Sequence, residues 1–262
     1  MTARTAAVFL SDVHLSAAHP ATTSAFLQFL DLHVAGKAAR LYILGDLFEY
    51  WVGDDDIGDA FNANIIGSLR RLSDSGTELF FISGNRDFLI GAGFADAAGA
   101  TLLPDPAHVR IDGQSLLLSH GDSLCTDDLQ YQAFKAMVRN PAYRSAFLAK
   151  PLSERHGLVE AMRAGSDTAK KEKAAEIMDV SDEAVAQWFA QNSETVLVHG
   201  HTHRPAHHRL VVGGRQCERW VLPDWDADAV PPRGGGLILD AGGLRAIGLA
   251  PANPETERAG AL

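Results

Sequence analysis

The sequence predicts an α/β sandwich, because short apolar strands alternate with helix-like segments along its first half. Five apolar runs also end alike, each in a cluster of polar residues that contains Asp, His or Asn. The five are AAVFL before SDVHL, LYIL before GDLFEYW, ELFFI before SGNRD, SLLL before SHGD, and VLV before HGHTH. Since sites in α/β sheets gather at the carboxyl ends of strands, we expect these clusters to meet.

Two helices are predicted between the first three strands, over residues 21–36 and 61–75. In both segments, apolar side chains recur at the spacing that places them on one face of a helix. They are Phe26, Phe29, Leu30 and Val34 in the first segment, and Ile65, Ile66, Leu69 and Leu72 in the second. Further strands, which close the fold as an antiparallel portion, are predicted near residues 209–212, 219–222, 237–239 and 244–249.

The composition limits the classes of protein to consider. The 262 residues, 46% of them hydrophobic and 21% charged, can bury the core of one domain, with or without an insertion. The two cysteines, Cys125 and Cys217, match no zinc or redox spacing, and we expect a reduced, cytosolic protein. The apolar run before Ser11 is too short for a signal peptide, and no stretch approaches the ~18 apolar residues of a membrane span. A net charge of −10 argues against general binding to nucleic acid.

Three histidines occur within five residues in the stretch VLVHGHTHRP, residues 196–205. Its first three residues predict a buried strand, Gly200 allows the chain to leave that strand, and Pro205 prevents regular pairing afterwards. In an extended segment residues i and i+2 point the same way, so His201 and His203 can face one point. A single histidine is more often a packed or solvated side chain, but two converging imidazoles favour a metal site.

Each polar cluster taken alone has an ordinary interpretation, as a turn, a solvated loop or a helix cap. Together, the order D-x-H, GD, GN, H and GHxH resembles the calcineurin-like metallophosphoesterase superfamily. The resemblance implies a four-layer α/β/β/α sandwich with a dinuclear metal centre. It assigns one ion to Asp12, His14, Asp46 and His203, and the other to Asp46, Asn85, His120 and His201. Asp46 would therefore bridge the two ions.

Imidazole, carboxylate and amide ligands suit first-row ions such as manganese, iron, cobalt or zinc better than calcium. We expect two divalent ions, with manganese as the metal. Two ions about 3.5–4 Å apart hold the attacking and leaving oxygens of a displacement at phosphorus and make hydroxide available at neutral pH. The sequence therefore predicts a metal-dependent hydrolase.

Three features narrow the resemblance to the UDP-2,3-diacylglucosamine diphosphatases of lipid A (lipopolysaccharide) biosynthesis. They are the motif GDLFEYWVGDDD at residues 45–56, Arg86 in GNRD, and an apparent insertion between His120 and His201. The resemblance covers residues 8–212 and implies hydrolysis of the diphosphate bond to UMP and 2,3-diacylglucosamine 1-phosphate (lipid X). It implies one domain over residues 1–262, with an inserted helical cap at residues 128–190.

Arg86 stands where most members of the superfamily have a histidine that protonates the leaving group. A phosphate leaving group, with a second pKa near 6, can depart unprotonated and needs charge stabilisation instead. A guanidinium supplies that stabilisation, so we expect Arg86 to grip the diphosphate. The alternative is a structural pair with Asp87 or Glu49. The residues expected to act in catalysis are Arg86, Asp46 and His201.

The predicted insertion is basic, although the chain as a whole is acidic. Residues 129–173 contain nine basic and four acidic residues, a net charge of +5, interleaved with apolar residues at nearly helical spacings. Such a segment is typical of a membrane-surface contact or of a cap over an acidic lipid, and a solvated helical hairpin is the alternative. The resemblance assigns substrate contacts to Asn85, Arg86, Asp128, Ser166, Lys170, Lys173 and His201.

The resulting expectation is an enzyme that acts on a nucleotide-activated, acylated sugar. It would be cytoplasmic and would bind peripherally to the cytoplasmic face of the inner membrane, with no nucleic acid and no obligate protein partner. A nucleotide diphosphatase or phosphodiesterase of broader range is the alternative within the same class. A scaffold that has lost its metals is the alternative outside it, and is disfavoured because all seven ligand positions carry competent ligands.

Overall fold

Strands and helices alternate through the first half of the chain in the computed structural model. The structure describes residues 5–172 and 179–249; for residues 163–172 it describes the backbone and not the side chains. The strands are β1 (Ala7–Leu10), β2 (Arg40–Leu44), β3 (Glu78–Ile82), β4 (Ala100–Leu102), β5 (Ala107–Ile111), β6 (Gln114–Leu118), β7 (Val196–His199), β8 (Ala206–Val212), β9 (Arg215–Val221), β10 (Gly235–Asp240) and β11 (Gly243–Gly248). The helices are α1 (Pro20–His33), α2 (Ala60–Asp74), α3 (Ala92–Ala98), α4 (Leu129–Val138), α5 (Pro141–Leu148), α6 (Leu152–Glu172) and α7 (Asp182–Gln191).

The strands form two sheets. The first has the order β11-β10-β1-β2-β3-β4, in which β1 to β4 are parallel and β10 runs antiparallel to both of its neighbours. The second has the order β5-β6-β7-β9-β8, in which β6, β7 and β9 are parallel and the two outer strands are antiparallel. Parallel central strands bring several carboxyl ends to one edge of each sheet.

The alternation of side chains along β1 shows how the layers are built. Val8 and Leu10 belong to the core beneath α1, α2 and α3, whereas Ala7 and Phe9 belong to the core between the two sheets. This is the period of two that a strand buried on both faces must have. A third core joins the outer face of the second sheet to α7. The layers are therefore α/β/β/α, which confirms the fold class.

Both helices predicted from apolar spacing are present with small changes at their ends. The first begins at Pro20, a favoured first residue of a helix, and ends at His33 instead of residue 36. The second spans Ala60–Asp74 and is capped by Asp59, whose carboxylate accepts hydrogen bonds from the backbone N–H of Phe61 and Asn62 at 2.9 and 3.2 Å.

The described part of the predicted insertion, residues 128–172 and 179–190, contains four helices that pack in two different places. The last of them, α7, packs Ala184, Val185 and Phe189 against the second sheet. The other three, α4 to α6, line a cavity together with residues that follow the ends of β1, β2, β3 and β7. We call α4, α5 and α6 the cap helices.

The acidic motif at residues 53–56 attaches the cap helices to the sandwich. Arg155 of α6 is only 1% exposed and forms an ion pair with Asp55, and it also donates to the carbonyl oxygen of Lys150 at 3.0 Å. Asp54 caps α3 instead, accepting from the backbone N–H of Gly91 at 3.0 Å and of Phe94 at 3.2 Å. The acidic motif therefore has a structural role that its sequence alone does not reveal.

Within the described residues, no helix combines the length and the apolar character needed to cross a membrane.

Candidate metal centre

The polar clusters that follow five strands meet at one place, as the sequence predicts. Asp12 and His14 follow β1, Asp46 follows β2 and Asn85 follows β3, all in the first sheet. The second sheet contributes His120 after β6, and His201 and His203 after β7. The site therefore lies where the carboxyl ends of strands from both sheets converge.

The backbone is unusual at these positions. Six described residues other than glycine have positive φ, and five of them are predicted ligands; the sixth, Asp112, lies in a hairpin. The five are Asp12, His14, Asp46, His201 and His203, with φ from 53° to 69°. Left-handed backbone is unfavourable for most side chains and is found where a functional arrangement requires it. The strained backbone at these five residues thus directs their side chains toward the common site.

One group of ligand atoms comes from Asp12, His14 and His203. The Nε2 atoms of the two imidazoles are 3.3 Å apart, and His203 Nε2 lies 3.5 Å from Asp12 Oδ1. Asp12 Oδ2 accepts hydrogen bonds from Ser11 Oγ at 2.6 Å and from the backbone N–H of His201 at 2.9 Å. Oδ1 is buried without a hydrogen-bond partner in the described part of the chain. A buried anionic oxygen that faces two imidazoles fits a cation between them.

A second group comes from Asp12, Asp46 and His120. His120 Nδ1 donates to the carbonyl oxygen of Leu44 at 2.9 Å, so Nε2 is the ring nitrogen that faces the other ligands and can bind a metal once it is deprotonated. That Nε2 lies 3.8 Å from Asp46 Oδ1 and 3.0 Å from Asn85 Oδ1. The other oxygen of Asp46 lies 4.0 Å from His14 Nε2, so Asp46 faces both groups, in the position of a bridge.

His201 is less closely integrated than the resemblance implies. Its ring centroid is 5.0 Å from that of His120, but its nitrogens join neither group of mutually close ligand atoms among the described residues. Asp12, in contrast, belongs to both groups. Two ligand groups that share a carboxylate, here that of Asp12, are the arrangement expected of a dinuclear centre.

Burial and neighbouring charges shift the pKa values of the ligand side chains. Burial alone would raise the pKa of Asp12, but the imidazole of His203, whose Nε2 lies 3.5 Å from Oδ1, and the charge of His120 hold that pKa well below its usual range. Burial alone would lower the pKa of His120, but the charges of Asp46 and Asp12 raise it to about 9. Burial and the charge of His120 lower the pKa of His201 to about 3. The carboxylate of Asp12 is therefore ionised and attracts positive charge into the site.

Asp87 is a buried residue of the site that was not identified from the sequence as a functional group. Its carboxylate accepts hydrogen bonds from the backbone N–H of Leu47 and of Gly84, both at 2.8 Å. Burial and the charge of Asp46 raise the pKa of Asp87 to about 7. Because its two donors follow β2 and β3 respectively, Asp87 holds these two ligand-bearing loops together.

Two glycines are required by close packing against the ligands. A Cβ atom at Gly84 would overlap the carboxylate of Asp46, and one at Gly200 would overlap Ser11 and Asp12. The glycines of the GN and GHxH clusters therefore make room for the metal-binding carboxylates.

Arg86 lies beside the ligands with a free guanidinium. Its backbone N–H donates to Asp46 Oδ1 at 2.8 Å, but its side chain has no ion pair or hydrogen bond with any described residue. Asp87 accepts from backbone groups, and Glu49 pairs with His14 Nδ1 at 3.0 Å. The described contacts therefore give no support to the alternative of a structural pair with either carboxylate.

The predicted substrate contacts are only partly described. Asp128 is the N-cap of α4, where it accepts from the backbone N–H of Tyr131 at 3.0 Å, and it lines the same cavity as Asn85, Arg86 and His201. Ser166 and Lys170 lie within α6, but their side chains are outside the described set. Lys173 lies wholly outside the described residues.

Asp122 connects α4 to the metal centre, and sequence reasoning missed this role. Its carboxylate accepts from Tyr131 Oη at 2.6 Å and pairs with Lys135 Nζ at 2.9 Å, while Arg139 Nη2 lies at 3.6 Å. The ring of Tyr131 in turn lies against that of His201, with centroids 5.6 Å apart. The SHGD cluster hints at Asp122, since it is two residues from His120, but no local pattern identifies Tyr131.

His199 supports the HGHTH loop from behind instead of facing the ligands. It is fully buried, its Nδ1 donates to the carbonyl oxygen of Gly200 at 2.9 Å, and its Nε2 accepts from Arg219 at 3.2 Å. Burial and the charge of Arg219 lower the pKa of His199 to about 4. A neutral His199 thus braces the exit from β7.

The ligands open into a cavity of about 540 Å³ beneath the cap helices. One wall carries residues of the metal centre and Arg86. The cap helices contribute an apolar part of the lining, formed by Phe134, Val138, Phe147, Val159 and Met162, beside polar residues such as Gln130 and Arg144. The cavity is therefore suited to a ligand that is polar at one end and apolar at the other.

Comparison with known proteins agrees with this geometry. A model of the calcineurin-like phosphoesterases matches residues 6–205. The UDP-2,3-diacylglucosamine hydrolase of Aromatoleum aromaticum is 52% identical over 223 residues, which cover 85% of this chain and 90% of that protein. The enzyme of the same name from Bordetella pertussis is 48% identical over 242 residues, which cover 91% of this chain and 93% of that protein. Both the family and the two ligand groups support binding of divalent metal ions. The chain belongs to the calcineurin-like phosphoesterase family, within the group of UDP-2,3-diacylglucosamine hydrolases.

Proposed function

We propose that the protein hydrolyses the diphosphate bond of UDP-2,3-diacylglucosamine, releasing UMP and 2,3-diacylglucosamine 1-phosphate, as a step of lipid A biosynthesis. The observation that carries the proposal is one cavity with metal ligands and a free arginine on one wall and apolar cap residues on the other. The relatives that match over most of this chain carry the name of that activity. Site chemistry and similarity thus support the same reaction.

The residues of the centre have separate tasks in this reaction. Two divalent ions, when bound, would supply Lewis-acid activation at phosphorus and would lower the pKa of the attacking water. Asp46, which faces both ligand groups, would hold the pair together. His120 keeps Nε2 available because Nδ1 is committed to the carbonyl oxygen of Leu44. The mixture of carboxylate, amide and imidazole ligands suits manganese, which we propose as the metal.

Arg86 provides positive charge without any proton transfer. Its guanidinium has no partner among the described residues, so it can bind oxygens of the diphosphate in a bidentate manner. The leaving group is a sugar phosphate, which needs neutralisation of its charge more than protonation. We therefore assign Arg86 to stabilisation of the departing phosphate.

The apolar wall of the cavity would hold the acyl chains. Phe134 and Val138 come from α4, Phe147 from α5, and Val159 from α6. Burial of acyl methylenes is worth about 0.8 kcal/mol for each CH₂ group, so a cavity of this kind favours acylated substrates over small diesters. In this assignment, Ser166, Lys170 and Lys173 would contact the sugar phosphate.

The outer surface of the cap helices suggests contact with the cytoplasmic face of the inner membrane. Leu129 of α4 is 76% exposed and Met137 is 48% exposed, and both belong to the basic segment of residues 129–173. Apolar side chains among basic ones suit the surface of an anionic bilayer. A lipid product formed beneath the cap could then pass directly to the membrane.

The function is tested by following UMP release from UDP-2,3-diacylglucosamine with manganese and after its removal by a chelator. We expect metal-dependent release, and ¹⁸O from labelled water should appear in UMP, because attack on the nucleotide-side phosphorus leaves the sugar phosphate as the departing group. Label in the sugar 1-phosphate would reverse the direction of attack. Turnover of bis(p-nitrophenyl) phosphate without turnover of the acylated substrate would favour the broader-range phosphodiesterase.

A further inference from the structure

A second cavity, of about 380 Å³, adjoins the metal centre. Four residues line both cavities: His14, Glu49, Arg86 and His203. None of the residues that line the second cavity comes from the cap helices. Apart from the four shared residues, the lining comes from the loop after β1, from the start of α1, and from residues 224–233 between β9 and β10. A ligand centred on the metal ligands can therefore extend in two directions.

The second cavity differs in chemistry from the first. Its lining includes the carboxylates of Glu49, Asp224, Asp226 and Asp228, together with Arg233 and His19. Such a surface repels a further phosphate group, since like charges within a few ångströms are unfavourable. It suits an uncharged ligand with many hydroxyl or N–H donors. Of these two cavities, as the described residues form them, the first is the one whose surface matches apolar acyl chains.

We propose that the second cavity binds the nucleoside half of the substrate, with the ribose hydroxyls donating to the carboxylates of Asp226 and Asp228. This inference rests on the proposed function, in which the diphosphate lies at the ligands and its two substituents diverge. Ribose is uncharged and offers adjacent hydroxyl donors, and carboxylates are strong acceptors for such donors. Residues 224–233 thereby become determinants of nucleotide specificity.

The carboxylates of the second cavity differ in the number of ion pairs and hydrogen bonds that they form within the protein. Asp224 pairs with Arg233 at 3.1 Å and lies 3.7 Å from His203 Nδ1, so it ties the cavity wall to a metal ligand. Asp226 pairs with Arg233 at 3.3 Å and also accepts from the backbone N–H of Ala229 at 3.0 Å. The side chain of Asp228 has no hydrogen bond or ion pair within the described part of the chain. Asp228 is thus the carboxylate most available to a ligand.

Trp225 gives this cavity a fixed inner wall. It is buried and packs edge-on against Phe26 and Phe29, with centroid distances of 6.0 and 5.2 Å. Its indole Nε1 is a buried donor that lacks an acceptor among the described residues. Uracil carries two carbonyl acceptors, either of which complements the indole N–H donor of this wall.

A third metal ion is a less suitable occupant of the second cavity. Ligand atoms that lie mutually close enough for a metal occur, among the described residues, only in the two groups of the metal centre. The carboxylates of residues 224, 226 and 228 form no such group, and those of Asp224 and Asp226 already pair with Arg233. The chemistry of the lining therefore favours an organic ligand.

The test compares inhibition by UMP with inhibition by its 2′-deoxy and 3′-deoxy analogues, using manganese-loaded protein and bis(p-nitrophenyl) phosphate as the reporter substrate. Wild-type protein should bind UMP about tenfold more tightly than at least one deoxy analogue, which is the value of a hydrogen bond to a charged acceptor. Asp228→Asn should reduce that ratio to about two or less. A general structural defect would weaken all the nucleotides equally and leave the ratio unchanged.

Asp31→Asn is the matched control, because it makes the same substitution at an exposed carboxylate on α1 that lines neither cavity. It should keep the wild-type ratio. Calorimetric titration with UMP and its deoxy analogues gives the same ratio of affinities without turnover. Titration with inorganic phosphate reports on the metal centre alone. A wild-type protein that does not discriminate, or an Asp228→Asn protein that discriminates fully, would overturn the inference.

The outcomes also separate this inference from the proposed function. If the wild-type protein releases UMP from the acylated substrate but ignores the ribose hydroxyls, the reaction stands and the nucleoside site is rejected. If it discriminates between UMP and its deoxy analogues but does not cleave the acylated substrate, the nucleoside site stands and the assignment of the lipid is rejected.

Discussion

Left-handed backbone angles occur at five of the proposed metal ligands, with φ between 53° and 69°. Each such residue costs roughly 1–2 kcal/mol relative to ordinary backbone, so the site stores strain that the surrounding packing must offset. Gly84 and Gly200 contribute to the same arrangement by allowing backbone to approach the carboxylates of Asp46 and Asp12. At the scale of residues, the placement of the carboxylate oxygens is therefore kept at the cost of an unfavourable local backbone conformation.

Asp46→Asn should reduce the turnover number by more than about 100-fold, which is the upper range for changes that only support a metal ligand. The substitution keeps the shape of the side chain but removes the charge that faces both ligand groups. Asp112→Asn is a matched control, because Asp112 also has positive φ but lies in the hairpin between β5 and β6. Initial rates and metal content measure the effect. Near-normal turnover by a folded Asp46→Asn protein would contradict the dinuclear centre.

Metal loading should release protons at neutral pH. In the metal-free protein the pKa of His120 is raised to about 9, so its imidazole is protonated at pH 7 and must lose a proton before Nε2 can bind a metal. Metal affinity should therefore rise with pH between 7 and 9 and fall as the solution becomes acidic. Calorimetry in buffers of different ionisation enthalpy counts the protons. A heat of binding that is independent of the buffer would show that His120 is already neutral.

The elements around the site are joined by a few long-range contacts. Asp122 links the end of β6 to α4 through Tyr131 and Lys135, and Asp55 links the loop after β2 to α6 through Arg155. The cap helices are thus fastened to the sandwich at two separate points. Both fastenings are polar, and in each one partner is buried: Asp122 in the first and Arg155 in the second.

Arg155→Met should lower the free energy of unfolding by about 1–3 kcal/mol, because the carbonyl oxygens of Val52 and Lys150 lose their donor. Arg70→Met is the matched control. Arg70 forms an exposed ion pair with Asp74 at 2.8 Å, and its loss should change stability by about 0.5 kcal/mol or less. Urea unfolding of both variants gives the comparison. Equal stabilities would show that Arg155 does not hold α6 in place.

At the scale of the whole molecule, six of the ten exposed large apolar side chains among the described residues lie on the cap helices. The double substitution Leu129→Gln and Met137→Gln should weaken binding to phosphatidylglycerol vesicles by about tenfold or more, since each inserted side chain contributes about 1.5–3 kcal/mol. Val211→Gln, at a valine that is 62% exposed on β8, serves as the control. Vesicle sedimentation measures the bound fraction. Equal losses in the double variant and the control would argue against the cap as the membrane surface.

Much of this arrangement is predictable from the sequence because its signals are local. Strand ends such as GD and HGHTH, and the helical spacing in residues 21–36, depend on neighbours along the chain. The attachment of Asp55 to Arg155 spans 100 residues, and the contact of Tyr131 with His201 spans 70, so no local pattern reveals either. The short strands β4 and β5 were also missed, since few of their residues are fully buried.

The proposed ligands are divided between the two sheets, with Asp12, His14, Asp46 and Asn85 on one and His120, His201 and His203 on the other. Bound ions would therefore connect the two sheets, because each sheet supplies part of the ligands. A ligand present at 100 times its dissociation constant stabilises the folded state by about 2.7 kcal/mol. When metal is scarce, the protein should open more often and become a better substrate for proteases. The metal supply of the cell would then set how long each molecule survives as well as how fast it works.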